Sequence, residues 1–344
     1  VSAEPSITAI VPLYDNAAHL PEVLPPLLEA RASGEVEEVL IVDDSSTDDG
    51  PERCREAGLP VLSSGGRLGP GACRNLGARE ARGDVLLFVD SDVVMRPDVP
   101  ARVRRALGPS AEHVAVFGSY DARPPAPGRV SRYRNLLHHW VHQRGAGEAS
   151  TFWAGCGAVR REAFLAVGGF DAPRYPRPAI EDIELGYRLR RAGGRLLLDP
   201  DMQCTHLKRW TFAGMVRTDV LQRAVPWSRL LLELGAEQRA LNASPGERVR
   251  ALVALGAWAA LLVSPLEPRA LLAAGLLLGL STLLNARFYR LAWKHDGPVG
   301  AVVAVLLHQL YYLYGSLAFA WCVLESKLGL RPAGAAQPDP EGPP

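Results

Sequence analysis

Lysine and paired cysteines are scarce in this chain of 344 residues. It has 38 basic residues, but only Lys208, Lys294 and Lys327 are lysines. The five cysteines are scattered and form no Cys-x-x-Cys pair, which argues against a zinc site and a disulfide framework. The formal net charge is only +1, so no bulk field attracts acidic partners. We therefore expect no nucleic-acid partner and a reducing environment for the soluble part.

Charge is also missing from three long runs in the C-terminal part, at residues 251–266, 270–286 and 299–324. A membrane-spanning helix needs about 20 predominantly apolar residues. We therefore predict a transmembrane region of about three helices at residues 249–326, in which the first two runs are either tilted spans or a re-entrant hairpin. The alternative is a set of buried helices in a large soluble core.

Basic residues flank these runs unevenly. Arg248 and Arg250 precede the first run, and Arg287, Arg290 and Lys294 follow the second. The positive-inside rule places both groups on the cytoplasmic side. The first five residues have no basic start and no apolar core, so no signal peptide is expected. The sequence thus predicts a multi-pass protein of the cell membrane, with its N-terminal domain in the cytoplasm.

Two segments border the apolar region. Residues 216–248 interleave arginines with apolar side chains, which predicts amphipathic interfacial helices on an anionic membrane face. Ordinary packing against the N-terminal domain is the alternative. Residues 327–344 are rich in proline, glycine and alanine, and we expect a disordered tail there.

The N-terminal part alternates strand and helix patterns. Strand patterns occupy residues 7–13, 38–42, 60–63 and 85–89, and helix patterns 19–31, 48–57 and 72–82. This alternation predicts an α/β domain with a mostly parallel sheet. A glycine-rich turn at residues 65–71 follows a strand and opens a helix, as a dinucleotide-binding loop does. However, it lacks the Gly-x-Gly-x-x-Gly spacing and is the third such turn, which disfavours an NAD-dependent oxidoreductase.

Two carboxylates follow the fourth strand pattern. Asp90-Ser91-Asp92 comes directly after the apolar run 85–89. In open α/β sheets, ligands bind at the carboxyl ends of strands. Two such carboxylates can hold a hard divalent cation that takes its other ligands from water and substrate phosphates. A solvated turn is the alternative.

Several blocks in a fixed order add to this motif. They are Ile10-Val11-Pro12-Leu13-Tyr14-Asp15, Val42-Asp43-Asp44-Ser45-Ser46-Thr47-Asp48, Gly71-Ala72-Cys73-Arg74-Asn75-Leu76-Gly77, Gly83-Asp84, Asp90-Ser91-Asp92, Gly168-Gly169-Phe170-Asp171 and Glu181-Asp182-Ile183-Glu184-Leu185. Together they resemble the family 2 glycosyltransferases, inverting nucleotide-sugar transferases of the GT-A fold. The resemblance covers residues 7 to about 210. It implies a Rossmann-like GT-A domain at residues 1–215.

The resemblance also implies roles for single residues. A divalent metal, Mg²⁺ or Mn²⁺, would be held by Asp92, with Asp90 as a further contact. Asp182, with Glu181 second, would be the general base that takes the acceptor proton. Alternatively, these two acidic residues only stabilise the first turn of a helix. The implied nucleotide-sugar-binding residues are Pro12, Tyr14, Asp15, Asp43, Asp44, Arg74, Asp90 and Ser91. The alternative for Asp43 is a cap of the turn at the strand end, and the alternative for Arg74 is a surface salt bridge.

A last motif, His206-Leu207-Lys208-Arg209-Trp210, is similar to the Gln-x-x-Arg-Trp motif of membrane polysaccharide synthases, with His in place of Gln. That departure disfavours a processive synthase. A neutral imidazole is a good metal ligand, so His206 is a candidate third ligand or else a packed histidine. Trp210 and Arg209 are candidates for the acceptor side, and Trp210 is alternatively an interfacial aromatic.

These observations favour a metal-dependent inverting glycosyltransferase. It would move a sugar from a nucleotide-diphosphate sugar to a lipid or lipid-linked acceptor at the cytoplasmic membrane face. Two alternatives stay open. One is a subunit of a membrane polysaccharide synthase, and the other is a non-catalytic scaffold that binds a nucleotide sugar.

Overall fold

The computed structural model describes residues 4–235 and 244–330. The described residues form two compact units. The first contains residues 4–125 and 142–208, and the second contains residues 126–141, 209–235 and 244–330.

The first unit is an α/β structure built on one sheet. Its strands are β1 (Ile7–Leu13), β2 (Glu38–Asp43), β3 (Val61–Ser63), β4 (Val85–Val89), β5 (Val93–Met95), β6 (His113–Tyr120), β7 (Gly147–Ala149), β8 (Cys156–Arg160) and β9 (Arg195–His206). Its helices are α1 (Leu20–Ala32), α2 (Gly50–Glu56), α3 (Pro70–Glu80), α4 (Val99–Leu107), α6 (Arg161–Ala166) and α7 (Glu181–Arg191). Helix α5 (Arg129–Arg144) begins in the second unit and ends in the first.

The sheet has a parallel part and a mixed part. The strand order is β3-β2-β1-β4-β8-β6-β9-β5, and β7 pairs with β9. Strands β3, β2, β1 and β4 run parallel, as the sequence predicted. Strand β8 is antiparallel to both of its neighbours, whereas β6 and β9 are parallel to each other. The alternation of short helices with strands explains the parallel part, because parallel neighbours need a crossover connection.

Burial on both faces explains the apolar strands. All residues of β1 and β4 are buried. Such strands are near-continuous apolar runs rather than alternating ones. On one side, Phe88 contacts the rings of Phe164 and Phe170 at centroid distances of 5.5 and 5.4 Å. The core therefore fixes the strands whose ends carry the predicted site residues.

The second unit is helical. Its elements are α8 (Phe212–Arg217), a π-helical segment (Thr218–Ala224), α9 (Val225–Leu234), α10 (Pro245–Val263), α11 (Ala270–Leu284) and α12 (Ala286–Lys327). Helix α12 bends at Gly297, which has φ 68° and is followed by Pro298. Glycine permits this positive φ, and the following proline removes a backbone donor.

Helices α10 to α12 expose apolar side chains and bury polar ones, the reverse of a water-soluble helix bundle. Many leucines point outward, with Leu262 and Leu283 81% and 75% exposed. Polar side chains lie inside, where Gln309 Nε2 donates to Ser281 Oγ at 2.9 Å and Tyr312 Oη donates to Asn285 Oδ1 at 3.1 Å. Polar residues of membrane helices face the bundle interior in this way.

Of the described helices, α12 is long and apolar enough to cross a membrane. Helix α11 has 15 residues and is about 22 Å long, short of the roughly 30 Å hydrocarbon core. Helix α10 includes Glu247, Arg248 and Arg250. The described helices therefore support one span, and the prediction of about three is not supported by their lengths. Residues 236–243 of the predicted amphipathic segment and residues 331–344 of the predicted tail lie outside the described residues.

Candidate active site

Three parallel strands bring their carboxyl ends to one edge of the sheet. Leu13 at the end of β1 is in register with Asp43 at the end of β2, and β4 pairs with the other side of β1. The loops that follow these strands carry most of the predicted nucleotide-sugar-binding residues. This edge is where ligands bind in α/β sheets.

Asp92 and His206 face each other beside this edge. Strand β5 pairs with β9 so that Val93 lies opposite His206, and Leu207 N donates to Asp92 O at 2.9 Å. His206 Nε2 lies 3.5 Å from Asp92 Oδ2. Burial raises the pKa of Asp92, but the hydrogen bond and charge of His206 outweigh it and lower that pKa to about 2. The Asp92 side chain is therefore a carboxylate at neutral pH.

Arg74 forms a buried bridge between two distant parts of the chain. Its Nη2 donates to Asp90 Oδ1 at 2.5 Å, and its Nη1 donates to Glu181 Oε1 at 3.1 Å. Burial lowers the pKa of Arg74, but the charges of Asp90 and Glu181 raise it overall, so it stays charged. Arg74 and its partner Glu181 are thus buried, and the surface salt bridge considered for Arg74 is wrong. Its predicted contact with a diphosphate stays a prediction.

Asp90 differs from Asp92 in its surroundings. Burial raises the pKa of Asp90, and the negative charge of Asp92 adds to this, whereas the guanidinium of Arg74 opposes it. The Asp90 carboxylate thus faces the Arg74 guanidinium, and the Asp92 carboxylate faces the His206 imidazole.

Helix α7 begins with the two predicted base candidates. Glu181 is buried, and its Oε2 accepts Ala179 N at 2.9 Å while Oε1 accepts Arg74. Asp182 is half-buried, and its Oδ2 accepts Ala154 N at 3.2 Å while Oδ1 accepts Ile183 N at 2.8 Å. The exposure of Asp182 makes it the more accessible of the two carboxylates.

Asp44 holds the glycine-rich turn. Its side chain is buried, with Oδ1 accepting Leu68 N at 2.7 Å and Oδ2 accepting Gly69 N at 2.8 Å. Gly69 has φ +87°, and a Cβ at this position would lie 2.4 Å from Pro176 O. Only glycine fits here, because both the backbone conformation and the space exclude a side chain. The turn is therefore held in one position beside the predicted base-binding residues.

Tyr14 and Asp15 follow β1 directly. Asp15 Oδ1 accepts Thr47 N at 2.6 Å and Thr47 Oγ1 at 3.1 Å, and the backbone N–H of Thr47 is the main cause of its lowered pKa. The Arg67 guanidinium lies over the Tyr14 ring, 4.4 Å from its centroid. These contacts connect the loops after β1, β2 and β3.

Three further predicted residues have structural partners. Pro12 is buried within β1. Asp43 Oδ1 accepts Ser46 N at 3.0 Å, as in the turn cap that was one of its two interpretations. Ser91 Oγ accepts Asn16 Nδ2 at 2.9 Å. Their roles toward a nucleotide sugar stay predictions.

The predicted metal ligands do not form a three-residue cluster. Among the described residues, no group of three or more His, Cys, Asp or Glu side chains is arranged to hold a metal ion. Asp92 and His206 are paired, whereas Asp90 is directed to Arg74. A carboxylate oxygen nonetheless suits Mn²⁺ or Mg²⁺, and an imidazole nitrogen is a usual ligand of divalent transition metals; the ion would take its remaining ligands from water and diphosphate oxygens. The pair therefore fits such an ion.

Two aromatic residues near His206 were not predicted. The Tyr120 ring stacks on the His206 imidazole, with a centroid distance of 4.3 Å and an interplanar angle of 6°. The Trp153 ring packs edge-on against Tyr120 at 4.8 Å. The only sequence signal was the position of Tyr120 at the end of an apolar stretch.

Arg209 and Trp210 belong to the second unit. Trp210 N donates to Ser131 Oγ at 2.9 Å, and the Arg134 guanidinium lies 5.8 Å from the centroid of the Trp210 ring. Arg209 is exposed. Their assignment to an acceptor site stays a prediction.

Comparison with known sequences finds a family model that matches the N-terminal part. Residues 8–168 match the family Glycosyl transferase family 2. An uncharacterized glycosyltransferase of Haemophilus influenzae is 28% identical over 175 residues, which cover 47% of this chain and 55% of that protein. The validoxylamine A glucosyltransferase of Streptomyces hygroscopicus subsp. jinggangensis is 29% identical over 227 residues, covering 55% of this chain and 52% of that protein. The chain thus spans about half the length of these curated relatives.

A solved structure shows the same fold. Glucosyl-3-phosphoglycerate synthase from Mycobacterium tuberculosis, crystallised with Mn²⁺, UDP and phosphoglyceric acid, superposes with a TM-score of 0.50 at 21% identity. The superposition covers 68% of this chain and 80% of that chain.

Proposed function

Because residues 8–168 form a glycosyltransferase family 2 domain with a GT-A-like fold, we propose that this protein transfers a sugar from a nucleotide-diphosphate sugar to a lipid or lipid-linked acceptor. The reaction would depend on a divalent metal and invert the anomeric configuration. It would take place at the cytoplasmic face of the cell membrane.

The observation that carries this proposal is the Asp90–Arg74–Glu181 bridge. It joins the end of β4, next to Asp92, to the start of α7, which carries Asp182. A glycosyl transfer needs a group that stabilises the leaving diphosphate and a group that receives the acceptor proton. One buried arginine, which lies 107 residues before Glu181, holds the two elements that carry these candidate groups in a fixed relation.

The donor would bind along the strand edge. Tyr14 offers a flat face for the base, and Asp44, held by the glycine-rich turn, lies at the end of the neighbouring strand. A divalent ion held by Asp92 and His206 would supply positive charge against the charge that builds on the diphosphate. The solved relative with Mn²⁺ and UDP supports both the donor class and the metal.

Asp182 would act on the acceptor. The oxygen of an acceptor hydroxyl attacks the anomeric carbon, and its proton passes to the Asp182 carboxylate. The bond from the anomeric carbon to the diphosphate oxygen breaks, and its electron pair leaves with the nucleoside diphosphate. Attack from the opposite face inverts the anomeric centre. The hydrogen bond from Ala154 N keeps the carboxylate oriented for this step.

The second unit supports a membrane location. Helix α12 is long enough to span a bilayer, and the outward leucines of α10 and α11 form an apolar surface that water does not favour. We propose that α12 anchors the protein and that α10 and α11 also enter the bilayer, as a re-entrant hairpin. By the positive-inside rule, the basic residues beside these helices favour a cytoplasmic location of the catalytic domain. A membrane-embedded protein of this kind would act on a lipid or lipid-linked acceptor.

A nucleotide-sugar screen tests the proposal. The full-length protein, purified in detergent, is incubated with a panel of UDP-, GDP- and TDP-sugars, with Mn²⁺ or with excess EDTA, and nucleoside diphosphate release is measured. We expect release from one donor class with Mn²⁺ and loss of release with EDTA. Adding a lipid extract should convert this release into a labelled, solvent-extractable product. Full activity in EDTA would contradict the metal role, and a water-soluble product would contradict the lipid acceptor.

A further inference from the structure

We infer that Tyr120 is a positioning residue for the Asp92–His206 pair, an inference that rests on the metal role proposed above. Its ring holds the His206 imidazole so that the edge bearing Nε2 is directed at the Asp92 carboxylate.

The geometry of the stack carries this inference. The two rings are almost parallel, at 6°, with centroids 4.3 Å apart. Both residues are at least nine-tenths buried. Stacking uses the face of the imidazole and leaves its edge available, and that edge lies 3.5 Å from Asp92 Oδ2. Tyr120 therefore restricts the rotation of His206 without competing for its nitrogen.

Tyr120 itself is held from two sides. The Trp153 ring meets it edge-on, at 4.8 Å and 86°. Trp153 in turn contacts the His142 ring at 5.4 Å, and His142 Nδ1 lies 2.8 Å from Gly118 O. On the backbone, Tyr120 is in register with Cys204 of β9, two residues before His206. The position of the Tyr120 ring is thus set by both the sheet and the neighbouring rings of Trp153 and His142.

Trp153 also lies next to the segment that bonds the candidate general base, Asp182. Trp153 precedes Ala154, whose backbone N–H donates to Asp182. A Cβ at the next residue, Gly155, would lie 2.5 Å from the Trp153 ring, so this segment packs closely around the indole. A disturbance of Trp153 would therefore reach both His206 and Asp182.

Replacing Tyr120 with Leu tests the inference, with Tyr120→Phe as the matched control because phenylalanine keeps the ring. Binding of Mn²⁺ alone to the full-length protein in detergent is measured by electron paramagnetic resonance. Residues that orient a metal ligand typically change metal affinity by about 10-fold or more, so Tyr120→Leu should weaken Mn²⁺ binding by roughly that factor. Tyr120→Phe should stay within about 2-fold of the wild type.

A second measurement detects the ring stack directly and needs neither metal nor enzyme activity. A ring stacked at 4.3 Å shifts the His206 ring protons upfield in the NMR spectrum, and this shift should disappear in Tyr120→Leu and persist in Tyr120→Phe. If Tyr120→Leu does not fold, as judged by thermal unfolding, Trp153→Leu replaces it. That variant leaves the stack in place but removes its support, and it should weaken Mn²⁺ binding by about 3-fold.

The outcomes separate this inference from the proposed function. If Asp92→Asn weakens Mn²⁺ binding but folded Tyr120→Leu, or Trp153→Leu in its place, binds it like the wild type, the positioning role is overturned and the metal role stands. If Asp92→Asn leaves Mn²⁺ binding unchanged, the metal role is overturned and the inference falls with it. Equal weakening by Tyr120→Leu and Tyr120→Phe would also overturn the inference, because the hydroxyl rather than the ring would then be the important group.

Discussion

Glu181 and Asp182 are neighbours in sequence, but the fold gives their carboxylates different surroundings. Glu181 is buried and is held by Arg74 and by the backbone of Ala179. Asp182 is half-buried, and its carboxylate accepts hydrogen bonds from the backbone N–H groups of Ala154 and Ile183. The buried, ion-paired carboxylate of Glu181 stabilises the fold. The more exposed carboxylate of Asp182 is better placed to accept a proton from a substrate.

We predict that Asp182→Asn lowers kcat by about 10²–10⁴-fold, because the amide cannot take the acceptor proton. Nucleotide diphosphate binding, measured by calorimetry, should change little. Glu181→Gln is the comparison variant, and it should instead lower the unfolding temperature because it weakens a buried ion pair. An unchanged kcat in Asp182→Asn would indicate an acceptor that is already ionised, such as a phosphate.

Part of the site was predictable at this scale. Asp44, Asp90 and Asp92 follow apolar strand patterns, and parallel strands place such residues at one edge. The pairing of Arg74 with Glu181 was not predictable, because it joins residues 107 positions apart and depends on how α7 packs against the sheet. Tyr120 carries no motif, so its stacking on His206 appears only in three dimensions.

At the scale of elements, local patterns predicted the first half of the sheet well. Strands β1 and β4 have the predicted bounds, because long apolar runs define them. The antiparallel strand β8 was not predicted, nor was β5 with its antiparallel partner β9. Their pairings join distant parts of the chain, and three-residue strands such as β5 carry too few residues for a periodic pattern.

The glycine-rich turn before α3 allows a matched test. Gly69 and Gly65 both have a positive φ, +87° and +78°, but a Cβ would meet Pro176 O only at Gly69. Alanine at either position should cost about 1–3 kcal/mol of unfolding free energy from backbone strain. The clash should add about 1–3 kcal/mol for Gly69→Ala.

Chemical denaturation of both variants measures these costs. Gly69→Ala should also weaken nucleotide binding more than Gly65→Ala, because the turn bonded to Asp44 must move. Equal effects of the two variants on stability and binding would contradict this role of the turn.

On the scale of the whole molecule, the two units have opposite distributions of polarity. The first buries apolar strands and exposes polar loops. The second exposes leucines along α10 to α12 and buries Ser281, Asn285 and Gln309. The composition predicted this division, since the uncharged runs all lie after residue 250. It did not predict the lengths of the individual helices, because these depend on where each helix ends.

The exposed leucines of the second unit lead to a prediction about the whole protein. The full-length chain should stay in the membrane fraction after washes with high salt and with alkaline carbonate, because its apolar surface is held by the bilayer rather than by charge. Immunoblots of the supernatant and the pellet measure this. Release by high salt alone would indicate surface binding, and a soluble protein without detergent would contradict the membrane location.

The most direct test of the central claim compares Asp92→Asn with Asp98→Asn. Asp98 pairs with Arg102 on the surface, so its replacement controls for the loss of a carboxylate outside the site. Nucleoside diphosphate release from the active nucleotide sugar is measured for purified protein at saturating Mn²⁺. If the Asp92–His206 pair holds the ion that stabilises the leaving diphosphate, Asp92→Asn should lose nearly all activity and Asp98→Asn should retain it. Activity of Asp92→Asn equal to that of the wild type would contradict the proposed metal-dependent transfer.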